Sequence, residues 1–102
     1  MSKKRKKLIR ARFNDAVFSR DHHRCVMCQA PAVDAHHITD RNEMPNGGYV
    51  AANGISLCEA CHWSAEAFHR GDAVDPGFLP DELYDRIGSS YEQAFADSER
   101  LL

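Results

Sequence analysis

Two Cys-x-x-Cys hooks, Cys25 with Cys28 and Cys58 with Cys61, constrain this chain more than any other feature of it. Each hook puts two sulfurs on one tight turn, and two such turns make the tetrahedral four-thiolate site that suits zinc. Joining them through one ion forces the thirty-odd residues between to fold back on themselves. The chain has 102 residues, enough for one small domain with a thin core, which a metal staple would reinforce. All four cysteines lie in the hooks. Two disulfides are the alternative pairing. The Lys/Arg-rich start has no apolar stretch of the kind a secretory signal needs, so a reducing cytoplasm is expected, and this favours zinc. No apolar run has transmembrane length, so no membrane partner is expected.

The net charge of −2 hides an asymmetry. Residues 1–24 hold nine Lys/Arg against two acids, a balance of +7, and residues 71–102 hold two Arg against eight acids, a balance of −6. A basic end of this kind points to a polyanion, with Lys3, Lys4, Arg5, Lys6, Lys7, Arg10 and Arg12 as phosphate contacts. The plainer reading is a solvated tail. The acidic end does not suit a polyanion binder. It would pack on the core, form a homodimer contact or meet a protein partner.

Residues 1–7 read as a charge block without fixed structure. Leu8 to Ser19 reads as a helix with Phe13 and Val17 or Phe18 on its core side. A hairpin is expected next: a short strand near the first hook, a turn at Gln29-Ala30-Pro31-Ala32, and a strand from about Val33 to Ile38. Residues 39–50, with Pro45 and Asn46-Gly47-Gly48, read as a loop. Glu59 to Arg70 reads as a helix closed by Gly71. On it His62, Glu66 and His69 share a face, and Trp63 with Ala60 and Ala67 forms the neighbouring apolar stripe. That spacing makes Trp63 a core residue first and a base-stacking platform second. Pro80 opens a short helix ending near Gly88, and Ser89 or Ser90 caps a last helix running to Leu102.

His36 and His37 sit side by side on the second expected strand, whose alternation sends them to opposite faces, so they cannot do the same job. An isolated pair of this kind is by default two satisfied surface or core imidazoles. The hooks change the balance, because closing them draws the helix of His62 against the strand. His36 and His62 would then form a sparse metal site with positions open for water and phosphate, as hydrolysis needs. Glu66, one turn after His62, either adds a carboxylate, which suits Mg²⁺ or Mn²⁺, or pairs with Arg70. Asp34 either orients His36 or otherwise supports the ligands from behind, or it is an ordinary strand acid. His69 reads as facing solvent or a phosphate, and His22 and His23 as surface residues or phosphate contacts.

Taken together, Cys-x₂-Cys, then Asp-x-His-His-Ile, then Asn-Gly-Ile-x-Leu-Cys-x₂-Cys-His resembles the HNH endonucleases of the His-Me-finger (ββα-metal) group. The resemblance covers roughly Arg20 to His69, about half the chain. The flanking Arg-Asp-x-x-Arg-Cys and Cys-His-x-x-Ala-Glu are similar to small phage and bacterial members. It implies that His37 is the general base for the attacking water and that His36 and His62 hold a catalytic divalent ion. Some members place a third ligand at the spacing of Glu66, and the resemblance implies Asn53 as the residue that braces the loop and orients the base. Products would carry 5′-phosphate and 3′-hydroxyl ends. The expected fold is a small α+β domain with a ββα-metal, treble-clef-like core and zinc knuckles, flanked by an N-terminal helix and C-terminal helices. Its parts would be a basic arm and helix over 1–19, the nuclease core over 20–71 and an acidic helical extension over 72–102. The expected function is a DNA endonuclease that nicks as a monomer, with structural Zn²⁺ and catalytic Mg²⁺ or Mn²⁺, in the cytoplasm of a bacterial or phage-infected cell. A zinc-finger module that binds nucleic acid or a protein partner without cutting shares the cysteines and the basic arm but has no use for His37.

Overall fold

In the computed structural model, which describes residues 2–101, helix α1 runs Lys3–Arg20. The basic block expected to lack fixed structure is therefore helical from Lys3 onward, and Met1 lies outside the described residues. The reason is local. The Ser2 hydroxyl accepts a hydrogen bond from Arg5 N at 3.1 Å, and Lys and Arg are good helix formers. Phe13 and Val17 are the buried residues of α1, while Lys3, Lys4, Arg5, Lys6, Lys7, Arg10 and Arg12 are all exposed.

Strand β1 (Asp34–His37) pairs antiparallel with β2 (Gly54–Leu57), so that His36 stands opposite Ile55 and His37 opposite Gly54. The hairpin expected around the first hook shrinks to a single bridge between Arg24 and Pro31. There the backbone closes on itself: Cys25 N donates to Ala30 O at 2.7 Å and Gln29 N to Cys25 O at 2.8 Å. That turn consumes groups a strand would need, and β1 pairs instead with the strand leading into the second hook.

β2 is buried along its whole length. Ile55 and Leu57 enter the main core, while Gly54 and Ser56 face α1. Gly54 has ordinary extended angles, so its lack of a side chain matters for space alone. A Cβ there would run into Val17 and lie 2.8 Å from the Phe13 ring. Gly54→Ala is thus expected to destabilise the fold by on the order of 3 kcal/mol, a fall in Tm of more than about 10 °C by circular dichroism. An unchanged Tm would mean that α1 does not seat on β2 as described.

The connection over residues 39–53 contains three short 3₁₀ turns, Arg41–Glu43, Pro45–Gly48 and Ala51–Asn53. Helix α2 (Glu59–Arg70) ends at Gly71, whose φ of 77° is the left-handed stop expected of it. Helix α3 (Pro80–Arg86) starts on Pro80 as expected, and α4 (Tyr91–Glu99) is capped by the Ser90 hydroxyl, which accepts from Gln93 N at 3.0 Å. α4 stops at Glu99, short of its expected length, and Leu102 lies outside the described residues. Leu83 and Tyr84 of α3 and Ala94 of α4 join the core around Ile55 and Leu57, so the acidic segment is packed into the domain. The architecture is α+β, four helices around a two-stranded sheet. No helix among the described residues is long and apolar enough to cross a membrane.

Candidate functional site

The four thiols meet. Their sulfurs all lie within 4.8 Å of one another, with Cys28 Sγ 3.6 Å from Cys58 Sγ. A tetrahedron of ~2.3 Å zinc–sulfur bonds has sulfurs ~3.8 Å apart, whereas a disulfide needs ~2.05 Å. The cysteines are free, and their spacing is compatible with a structural zinc site. The electrostatics agree. Burial would raise the Cys25 thiol, but backbone N–H groups of Cys58, Cys28 and Met27 outweigh it and bring the pKa to about 7. Burial and the neighbouring sulfurs push Cys61 far up. A first thiolate is therefore accessible at neutral pH, and further ones need a cation among them. The site also anchors α2, because Cys58 is its N-cap and accepts from Cys61 N at 3.5 Å.

A second cluster forms where α2 crosses β1. Ligand atoms of His36, His62 and Glu66 lie within 4.8 Å of one another. Glu66 Oε1 is 3.1 Å from His62 Nε2 and 3.2 Å from His36 Nδ1. The His36 contact is off the line of a hydrogen bond, so both nitrogens of this ring, 2% exposed, have no hydrogen-bond partner. Burial, reinforced by His62, His69 and His37 beside it, holds the His36 pKa down to about 3. The ring is neutral, with an unpartnered nitrogen beside the ligand atoms of His62 and Glu66, and neutral imidazole is the form that binds metal. Asp34 Oδ2 lies 3.0 Å from His62 Nε2, so Asp34 meets His62 rather than His36. Glu66 turns to the histidines, and Arg70 pairs with Asp72 at 3.0 Å instead.

His37 points the other way, as alternation requires. Its ring stacks on Phe13 at 4.5 Å and meets Tyr49 edge-on at 4.7 Å. Burial, helped by the Arg41 guanidinium and opposed by Asp40, holds its pKa to about 4. His36 and His37 nonetheless line one cleft of about 460 Å³ together with His62, Glu66, Arg10 and Arg41. Of the basic residues named from the sequence, Arg10 alone lines this cleft, while Lys3, Lys4, Arg5, Lys6, Lys7 and Arg12 lie elsewhere on the exposed surface of α1. His69 also lines it, and its Nε2 is 3.2 Å from His37 O, so it faces the cleft.

Asn53 is fully buried and does not line the cleft. Its Oδ1 accepts from Thr39 N at 3.0 Å and from the Tyr84 hydroxyl at 2.7 Å, while Nδ2 donates to Thr39 O at 3.1 Å and Gly48 O at 3.2 Å. Ile38 N donates to Asn53 O at 2.9 Å. The backbone just after His37 is thereby clamped from both sides, which is bracing work.

Tyr84 is the functional-site neighbour that sequence reasoning missed. Its sole proton goes to Asn53, so Thr39 Oγ1, 2.7 Å away, donates to the phenol oxygen. Burial pushes the phenol up to about 12, so it remains a donor. Tyr84→Phe should cost about 1–2 kcal/mol in urea unfolding, since it leaves Thr39 Oγ1 unpartnered. A loss of a few tenths would mean that the network is ornamental. Arg41, Tyr49 and the Arg20–Asp21 pair were missed too. Arg20 bonds Asp21 twice at 2.7 Å and also reaches Ala51 O and Gly54 O, tying α1 to the connection.

Trp63, expected in the core, is 68% exposed, as its spacing partner Ala60 also is. α2 buries Ala65 together with Ala67, the one member of the expected stripe that is covered. His22 and His23 are on the surface as expected. No family model matches the chain, and no curated protein or solved structure matches it either.

Proposed function

We propose that this chain is a metal-dependent DNA endonuclease of the HNH type, with a ββα-metal unit formed by β1, β2 and α2 and a structural zinc beside it. The observation that carries the reading is the convergence of His36 with His62 and Glu66, while His37, the next residue along β1, opens into the same cleft. Two imidazoles and a carboxylate suit a divalent ion such as Mg²⁺ or Mn²⁺, and the unpartnered nitrogens of buried His36 fit that use. Such an ion, when bound, supplies Lewis-acid stabilisation of charge on the phosphate and the leaving oxygen. His37 takes the proton of the attacking water. Its Nε2 is enclosed, which leaves Nδ1 for that proton. Arg10 and Arg41 bring positive charge to the cleft, and the exposed lysines and arginines of α1 hold the backbone to either side. Asn53 keeps the chain after His37 in place. One cleft cuts one strand, so a monomer nicks.

Supercoiled plasmid treated with the zinc-loaded chain and Mg²⁺ or Mn²⁺ should pass to open circle before linear form, with 5′-phosphate ends. A chain that binds the plasmid yet leaves it closed with every divalent ion tried would favour the non-cutting zinc-finger module instead.

A further inference from the structure

Trp63 is the one tryptophan of the chain and lies on α2 directly after His62. Leaving 68% of an indole in water forfeits a large apolar burial, so its position calls for a reason. The ring is held, not loose. The Arg70 guanidinium carbon sits 4.0 Å from the ring centroid. That guanidinium is itself fixed, donating from Nη1 to Trp63 O at 3.2 Å and from Nε to Asp72 at 3.0 Å. A planar cation thus backs a planar ring whose remaining surface faces solvent. The depression beside Trp63 is lined by His62 and Glu66, which also line the cleft, so the two adjoin across these side chains. A strand with a phosphate at His36 and His62 would carry a neighbouring base past the indole. Glu59, Glu66 and Arg70 border the depression, and Arg70 is already engaged with Asp72 and the indole, so the open part of the depression offers the ring face rather than a free cation.

We infer that Trp63 is a stacking platform for an unpaired nucleobase beside the phosphate held in the cleft, which makes single-stranded or opened DNA the preferred substrate. The inference rests on the endonuclease reading. Stacking on a pre-set ring is tolerant of sequence, because every base has a π face. In an intact duplex those faces are already covered by neighbouring base pairs, so the platform can be used only where the strands part.

Emission from the sole tryptophan reports on Trp63 alone. The zinc-loaded full chain, in low salt without Mg²⁺ or Mn²⁺, is titrated with oligothymidine and with a blunt hairpin duplex of equal length. Oligothymidine should quench the indole and the duplex should not. By anisotropy of a labelled strand, Trp63→Ala should bind oligothymidine about five- to a hundredfold more weakly. Trp63→Phe should recover most of the loss. Equal quenching by the duplex overturns the inference, as does unchanged emission at saturating single strand. A zinc-loaded Trp63→Ala chain that binds as tightly as wild type also overturns it. If Trp63→Ala does not fold, wild-type quenching decides. Plasmid nicking is read in parallel: nicking without quenching removes the platform and leaves the nuclease, and quenching without nicking does the reverse.

Discussion

Replacing His37 with alanine is expected to slow plasmid nicking by about 10²- to 10⁴-fold, the usual contribution of a positioned general base, while zinc content and DNA affinity stay near wild type. The neighbours cannot take over. His36 faces α2 among His62 and Glu66, and His69 is engaged with His37 O. The ring of His37 is held between Phe13 and Tyr49, so what is lost is an oriented acceptor. Its protonation behaviour gives a second readout. Burial and Arg41 keep the pKa at about 4, below the ~6.5 of a free imidazole. The ring is thus wholly unprotonated at neutral pH, though a weaker acceptor than one poised near 7. The acid limb of kcat/KM, which reports the free protein, should carry no step near 6.5 from this residue. Activity through His37 is retained as the pH falls below 6 and is lost as it falls through about 4. If His37→Ala nicks as fast as wild type, the proton goes elsewhere and the base is misassigned.

What the sequence disclosed, and what it did not, follows the range of the forces involved. The hooks were legible because the two cysteines of each must share a turn, a constraint local to four residues. The opposite facing of His36 and His37 was legible for the same reason, since alternation needs only a strand. Which strand β1 pairs with was not. Val33 to Ile38 alternates identically whether its partner precedes or follows it, and the choice turned on backbone groups used up within the first hook. Trp63 failed on a related point. Helical spacing marks a stripe but not where its covered edge falls, and the buried face of α2 holds Ala65 and Ala67 and leaves Trp63 outside. The start of α1 at Lys3 depended on one hydroxyl, Ser2 to Arg5, where charge density argued for disorder. Tyr84 left no local trace, because its bonds to Asn53 and Thr39 span 31 and 45 residues. Its segment was therefore legible only as an acidic extension, although it helps to hold the connection that follows His37.

Cys58→Ser should abolish zinc binding and, with it, cooperative folding near 37 °C, or at the least lower Tm by more than about 20 °C. Serine is the informative replacement because position 58 has two jobs. Its sulfur is one of four within 4.8 Å of one another, and it also caps α2 by accepting from Cys61 N. Serine caps a helix as well as any residue does, so the capping contribution survives and the change removes the thiolate alone. The expected size follows from two magnitudes. A structural zinc in small finger domains contributes roughly 10–16 kcal/mol of apparent binding free energy, and a whole domain is stable by only about 5–15 kcal/mol. A core resting on two four-residue strands has little margin to absorb that loss. The consequence reaches the cleft. Cys61 and His62 are consecutive on α2, so an ion held by the four thiols would pin the start of this helix to the first hook and with it the distance from His62 and Glu66 to His36. Chelation of wild-type zinc should reproduce the variant, with nicking lost even below its melting temperature. Should Cys58→Ser carry no zinc yet melt and nick like wild type, the thiols would not be the staple, and the placing of α2 would fall to its buried Ala65 and Ala67 and to the contacts of His62, Glu66 and His69 with β1.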